Sequence, residues 1–110
     1  MTAEDFRRIA LALPQAQEGA HMGHADFRVG GQIFATLGYP GPEWGMVKLQ
    51  PEQQQLFVEA EPEVFRPVDG GWGAKGATNV RLGAADEASL ERALRAAWLE
   101  RSQKKAKRRS

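Results

Sequence analysis

A glycine-rich segment between two strand-like runs constrains the fold more than any other part of the sequence. Residues 65–82 contain four glycines between positions 70 and 76, flanked by alternating patterns typical of short β-strands. Strands joined by so short a connection pair antiparallel. Because glycine permits positive φ and a close approach of the backbone, these residues predict a tight loop that carries Trp72 and Lys75. Those two side chains either contact a ligand or close a hairpin, with Trp72 packed on the core.

The other elements follow from hydrophobic spacing and from the positions of proline and glycine. Apolar residues at i, i+3, i+4 and i+7 indicate a first helix, and apolar residues every four positions indicate a last one. Two glycines between strand-like runs indicate a hairpin. The elements are, in order, a helix over 3–13, strands at 27–29, 32–37 and 44–49, a helix from Pro51 to Pro62, the two strands of 65–82, and a helix after Asp86.

This order predicts one α+β domain over residues 1–100. The economical architecture is a two-layer sandwich, in which the helices pack on one face of an open antiparallel sheet of five strands. Residues 18–24 are either irregular or a further short edge strand. No internal repeat divides the chain into smaller units.

The charge of the chain is distributed unevenly. Six of the 15 Lys and Arg residues, and none of the 14 Asp and Glu residues, lie in residues 101–110. Residues 1–100 therefore carry a net charge near −5, and the tail one near +6. An acidic body is a poor general polyanion binder, so a nucleic acid would need a local basic patch or the tail. The tail is either a disordered, solvated end or an arm that contacts phosphates.

Cysteine and long apolar runs are missing from the sequence. Without cysteine there are no disulfides and no thiolate metal sites, which suits a reducing cytoplasm. No apolar run approaches the roughly 20 residues that span a bilayer. Four charged residues near the start argue against a signal peptide: Glu4, Asp5, Arg7 and Arg8. We expect a cytoplasmic monomer that has no membrane partner.

Alternation along the strands predicts which side chains lie on the sheet face away from the helices. The face opposite the expected core carries apolar and cationic side chains together. That mixture fits base stacking with phosphate contact, an anionic aromatic ligand, or a solvated face on which Lys and Arg cover apolar neighbours. The residues predicted there are Arg28, Phe34, Thr36, Met46, Lys48, Arg66, Asn79 and Arg81.

Acid–base or metal chemistry has few candidates. His21 and His24 lie three residues apart with Asp26 close by, but a metal site would need carboxylates or water as its other ligands. No serine is placed to act as a nucleophile, and the glycine spacing differs from that of phosphate- and dinucleotide-binding loops. We therefore predict no catalytic residue, no metal and no cofactor, and we favour a non-enzymatic role. The histidines fit hydrogen-bonded loop residues or contacts at a pocket mouth.

The large aromatic side chains separate into core and loop positions. Trp98 lies on the apolar stripe of the last helix, which assigns it to the core. Trp44, Trp72 and Tyr39 lie beside glycines in loops. There, each of them either lines a pocket or fills a gap in the core.

Several segments taken together resemble the MmcQ/YjbR family of small bacterial proteins. The resemblance covers residues 3–100, and the segments are specific jointly rather than singly. They are His21–Gly31, Ile33–Leu37, Trp44–Leu49, Phe65–Val68 and Gly71–Gly73.

The resemblance implies a fold like that of frataxin and CyaY, and a DNA-binding function through a "double wing" motif. The wings would be the hairpins around Gly30-Gly31 and residues 70–76. Some relatives occur with antibiotic-biosynthesis or antibiotic-resistance genes, which implies small-molecule binding as an alternative. Frataxin binds iron on an acidic helix surface, and that site is not carried over because the first helix mixes acidic and basic residues.

Two functions therefore stay open, beside a third in which the chain is an interaction scaffold without a ligand. DNA would contact the open sheet face and the wings, through Arg28, Lys48, Arg66, Lys75, Arg81, Phe34 and Trp72. A planar or anionic small molecule would occupy a pocket near Trp44 and Trp72, lined by His21, His24, Tyr39, Trp44, Met46 and Trp72.

Overall fold

A computed structural model describes the backbone of residues 1–109 and the side chains of residues 1–103. Within them, six antiparallel strands form one open sheet, in the order β1-β2-β3-β4-β6-β5. The strands are β1 (Gln17–His21), β2 (His24–Val29), β3 (Gln32–Leu37), β4 (Trp44–Lys48), β5 (Phe65–Pro67) and β6 (Ala77–Arg81). The helices are α1 (Ala3–Ala12), α2 (Pro51–Ala60), α3 (Gly71–Ala74) and α4 (Glu87–Arg109), with a 3₁₀ turn at Leu82–Ala84.

The predicted α+β fold with an open antiparallel sheet is confirmed, with six strands where five were expected. The additional strand is β1, which pairs with β2 at the sheet edge. A two-residue turn joins them, and both of its residues, Met22 and Gly23, have positive φ. Such a turn matches the twist of a hairpin. Of the two alternatives for residues 18–24, the short edge strand is therefore the one observed, with bounds Gln17–His21.

The hydrophobic core lies between one face of the sheet and the helices. Four phenylalanines are fully buried there or nearly so: Phe6, Phe27, Phe34 and Phe65. α4 contributes Leu90 and Leu94, which are fully buried. α2 joins this layer through Phe57, whose ring lies 5.1 Å from that of Phe65 in an edge-to-face arrangement. The other face of the sheet is left without a covering helix layer, and we call it the open face.

The position of Phe34 on the open face was predicted wrongly. The register of β2 and β3 shifts between Phe27 and Arg28, so that Phe27 pairs with Ala35 while Arg28 pairs with Ile33. This β-bulge gives β3 one additional residue and breaks the alternation of side chains. As a result Phe34 and Ala35 are both fully buried, and Ile33 takes the position on the open face.

The glycine-rich segment, residues 70–76, forms one helical turn between β5 and β6. A Cβ on Gly73 would lie 1.6 Å from the carbonyl oxygen of Val68, and one on Gly76 would lie 1.9 Å from that of Leu49. These two glycines therefore serve close packing of the chain on itself. Trp72 is not in the core, since 64% of its surface is exposed.

The last helix begins after Asp86, whose Oδ1 accepts a hydrogen bond from the backbone N–H of Ser89 at 2.8 Å. Its backbone is helical through Arg109. The tail was predicted to be either a solvated end or an arm that contacts phosphates. Most of its basic residues lie in 104–110, whose side chains are outside the described part of the structure. Among helices in the described chain, none is long and apolar enough to cross a membrane.

Candidate functional site

The strand register aligns a row of side chains across the open face. Thr36 of β3 lies between Asp26 of β2 and Met46 of β4, and Met46 in turn pairs with Asn79 of β6. Arg66 of β5 completes the row opposite Asn79. Side chains in such a row lie on one face of the sheet, so the row forms the floor of any site there.

A cleft of about 550 Å³ lies above this floor. Its volume falls within the range of small-molecule sites, roughly 300–1,000 Å³. Trp72 and Val68 line it on the side of the glycine-rich segment, and His21, Met22, His24 and Tyr39 line it on the side of the β1–β2 hairpin. The floor residues in the cleft are Asp26, Ile33, Thr36, Met46, Lys48, Ala77 and Asn79.

Two contacts between side chains organise opposite sides of the cleft. Lys48 Nζ lies 5.0 Å from the ring centroid of Trp72, which is cation–π geometry. On the other side, the rings of His24 and Tyr39 meet edge to face, with centroids 6.1 Å apart. The cleft therefore presents aromatic surface at both sides and a cation beside one of them.

A fully buried carboxylate, Asp26, lies in the floor beside an arginine. Arg28 Nε and Nη2 donate to its two oxygens at 2.8 and 3.1 Å. Hydrogen bonding to Asp26 raises the pKa of Arg28 above its ordinary value, so the guanidinium stays charged. Because Asp26 compensates that charge, Arg28 is a weaker phosphate ligand than its position in the sequence indicated.

A second group of predicted residues lies outside the cleft, and we call it the Trp44 cluster: Trp44, Arg66 and Arg81. The guanidinium carbons of Arg66 and Arg81 lie 5.5 and 5.1 Å from the centroid of the Trp44 ring. The three side chains line a smaller pocket of about 330 Å³ together with Glu63 and Val64. The pocket predicted near both Trp44 and Trp72 is thus two separate pockets.

The remaining predicted residues divide between exposed and buried positions. Lys75 is exposed at the end of α3 and does not line the cleft. Phe34 is fully buried in the core, where neither a base nor a ligand reaches it. The Gly30-Gly31 turn is also outside the cleft lining, and the β1–β2 turn occupies the side opposite the glycine-rich segment instead.

Sequence reasoning missed five contributors to the cleft: Met22, Asp26, Ile33, Val68 and Ala77. Ile33 was assigned to the core because alternation gave no sign of the bulge. Asp26 was considered only for metal or acid–base chemistry, although its i, i+2 spacing from Arg28 on a strand already indicated a same-face pair. No group of three or more possible metal ligands occurs among the described residues.

The fold and the cleft define a small α+β protein whose open sheet face carries a site of ligand size. The YjbR family model matches residues 11–100, and the chain belongs to this family. The crystal structure of Deinococcus radiodurans protein DR2400, which contains the domain DUF419, is similar with a TM-score of 0.73 and 23% sequence identity. That match covers 90% of this chain and 77% of the other, and it supports the fold. No curated protein matches the chain.

Proposed function

We propose that this protein binds a small planar molecule with an anionic group in the open-face cleft. The proposal rests on the cleft of about 550 Å³, which is lined by aromatic and aliphatic side chains and has the Lys48 ammonium beside Trp72. Sites for small molecules typically combine an apolar lining with a few polar groups that fix orientation. Antibiotic-like aromatic compounds are ligands of this kind.

Trp72 and Met46 supply the apolar contact surface in this proposal. Trp72 is 64% exposed although it lines the cleft, so a flat ligand gains contact by covering its ring. An aromatic pair contributes about 0.5–1.5 kcal/mol beyond the burial of its area. Lys48 would orient the anionic group, and its contact with Trp72 holds it at the ligand's edge.

A matched pair of ligands tests this proposal. Naphthoate and naphthylmethanol share one ring system and differ in charge, so their affinities separate stacking from the contribution of the cation. We expect naphthoate to quench tryptophan fluorescence and raise the melting temperature, with little dependence on salt. Naphthylmethanol should bind several-fold more weakly.

Two substitutions and one control assign the binding to the cleft. Trp72→Ala should abolish naphthoate binding, and Lys48→Met should remove the preference for naphthoate over naphthylmethanol. Lys75→Met is the control, because Lys75 lies on the same segment and outside the cleft lining. Equal affinities of the wild type and Trp72→Ala for naphthoate would contradict the proposal.

DNA binding is the second candidate, and the cations of the open face favour it. Lys48, Arg66 and Arg81 lie on that face and belong to neighbouring strands. In this function they would contact phosphates, while Trp72 would stack on a base. The cytoplasmic location expected from the sequence is compatible with either function and stays a prediction.

Salt dependence tests DNA binding directly. Fluorescence anisotropy with labelled duplex and single-stranded DNA at two salt concentrations should give an affinity that falls steeply as salt rises. The variant Lys48→Ala/Arg81→Ala should reduce both the affinity and the salt slope. Unchanged binding curves in that variant would exclude the open face as the DNA surface.

A further inference from the structure

The Trp44 cluster has a geometry that the cleft does not use. Trp44 and Arg81 are directly paired across β4 and β6, and Arg66 reaches the same indole from β5. Both guanidinium groups lie within cation–π distance of one ring. Three adjacent strands thus bring two positive charges to one aromatic surface at the edge of the open face.

Neither guanidinium has a carboxylate partner among the described residues. Four of the other six arginines whose side chains are described do have one, at 4.0 Å or less: Arg7, Arg8, Arg28 and Arg92. Arg66 and Arg81 make no hydrogen bond through their side chains there, although both are exposed and share a pocket with Glu63. Two like charges held near each other favour an anion between them.

We propose that Arg66 and Arg81 form a phosphate-binding site that is separate from the cleft. Both guanidinium carbons lie within cation–π distance of the Trp44 ring, and an arginine in such a contact keeps its N–H donors available for an anion. A guanidinium group donates paired hydrogen bonds to phosphate oxygens, and two guanidinium groups from different strands can donate to a tetrahedral anion from two sides. The pocket of about 330 Å³ has the volume of a small-ligand site.

Glu63 is the acidic residue that lines this pocket. Its carboxylate lies beyond ion-pair distance of both arginines, so it does not occupy their donors. As a negative charge at the rim it opposes an entering anion. Removing that charge should strengthen phosphate binding, so the proposal also predicts a variant with a higher affinity.

The three tryptophans of the chain provide separate reporters for the test. Trp44 lies in the proposed site, Trp72 lies in the cleft, and the indole of Trp98 donates to Pro14 O at 2.8 Å. Their indole N–H signals can be followed by ¹H–¹⁵N correlation spectra of the full chain, assigned by single Trp→Phe variants. Pyrophosphate is titrated at constant ionic strength, with chloride replaced stepwise.

We expect the Trp44 signal to shift to saturation while those of Trp72 and Trp98 change little. Arg66→Gln/Arg81→Gln should weaken pyrophosphate binding at least tenfold, and Glu63→Gln should strengthen it a few-fold. Lys75→Gln, an exposed lysine outside both pockets, should leave the affinity unchanged. Equal shifts of all three signals, or an unchanged affinity in the double variant, would overturn the proposal.

A second arm identifies where the phosphate comes from. A short thymidine oligonucleotide presents internal phosphodiesters, whereas pyrophosphate presents a free anion. An oligonucleotide shift at Trp44 that pyrophosphate reverses would support the site and assign it to nucleic-acid backbone. A response to pyrophosphate alone would support the site and assign it to small phosphate ligands. A Trp44 signal that responds to neither probe would overturn the phosphate site, independently of whether naphthoate binds in the cleft.

Discussion

Replacing each glycine of the glycine-rich segment by alanine separates two causes of strain at neighbouring positions. Gly71 has neither a positive φ nor an atom within 4 Å of an added Cβ, and Gly70 has only a positive φ, 80°. Gly73 has only a steric conflict, and Gly76 has both, with φ 111°. The four substitutions therefore form a two-by-two comparison within seven residues of sequence.

The expected magnitudes follow from those two causes. Gly70→Ala should cost about 1–3 kcal/mol, because φ and ψ of 80° and −154° lie where alanine is strained. Gly73→Ala should lower the free energy of unfolding by at least the usual cost of an overpacked core, about 1–3 kcal/mol, since the added Cβ would overlap a backbone oxygen. Gly76→Ala combines both and should cost about 3–5 kcal/mol. Gly71→Ala should stabilise by about 0.4–1 kcal/mol.

Urea denaturation at 25 °C, followed by far-UV circular dichroism, measures these differences. Folding free energies of small domains are about 5–15 kcal/mol, so Gly76→Ala should remove a large share of the stability. The slope of the unfolding free energy against urea should stay constant if only stability changes. Equal stabilities of Gly71→Ala and Gly73→Ala would refute the view that Gly73 is required for close packing.

Three further substitutions test the core and the helix caps. Trp98→Phe removes the hydrogen bond to Pro14 O at 2.8 Å and should cost about 1 kcal/mol in thermal denaturation. The hydrogen bond from the backbone of Ser89 lowers the pKa of Asp86 in the folded protein. The stability that this carboxylate contributes is therefore present above its unfolded pKa and is lost as the pH falls through its folded pKa. Asp86→Asn should lack this loss of stability at acid pH, which urea denaturation at several pH values measures. Gly45→Ala would place Cβ 2.6 Å from the Phe6 ring and should cost about 1–3 kcal/mol in urea denaturation, partly recovered by Phe6→Leu.

Much of the fold could be predicted from local sequence because its cues are local. The N-terminal helix has a capping box, in which Thr2 Oγ1 accepts from the N–H of Asp5 and Asp5 Oδ2 accepts from that of Thr2. Alternation along β4 and β6 correctly gave the side chains of the open face. It failed at Phe34, because Ile33 and Phe34 are both apolar and the bulge between β2 and β3 leaves no mark in composition.

Five of the six residues predicted to line a pocket do line the cleft, and Trp44 lies in the other pocket instead. The shape of the cleft could not be predicted from the sequence, since it depends on how distant segments close over the sheet. Tyr39 lies in a loop as predicted, whereas Trp72 lies in the single turn of α3. The positions of both rings relative to the floor come from tertiary structure. The glycine pattern was equally ambiguous. Gly73 and Gly76 contact the chain's own backbone, whereas Gly71 has open space around it, and nothing in the sequence distinguishes these environments.

The two proposed sites lie at opposite ends of one strand, and this allows a test of whether they share a ligand. Trp44 and Lys48 both lie on the open face of β4, four residues apart, which is about 13 Å along a strand. Naphthoate is too short to reach across that distance.

If the sites serve separate ligands, saturating pyrophosphate should leave naphthoate affinity nearly unchanged at physiological ionic strength. The strand positions of the two sites are separated by more than the Debye length of about 8 Å, and exposed charges at such separations are largely screened. Linkage requires naphthoate to change pyrophosphate affinity by the same factor. A tenfold reciprocal loss of affinity would show that the two anions compete for one set of cations, and the division of the open face into two sites would then be wrong.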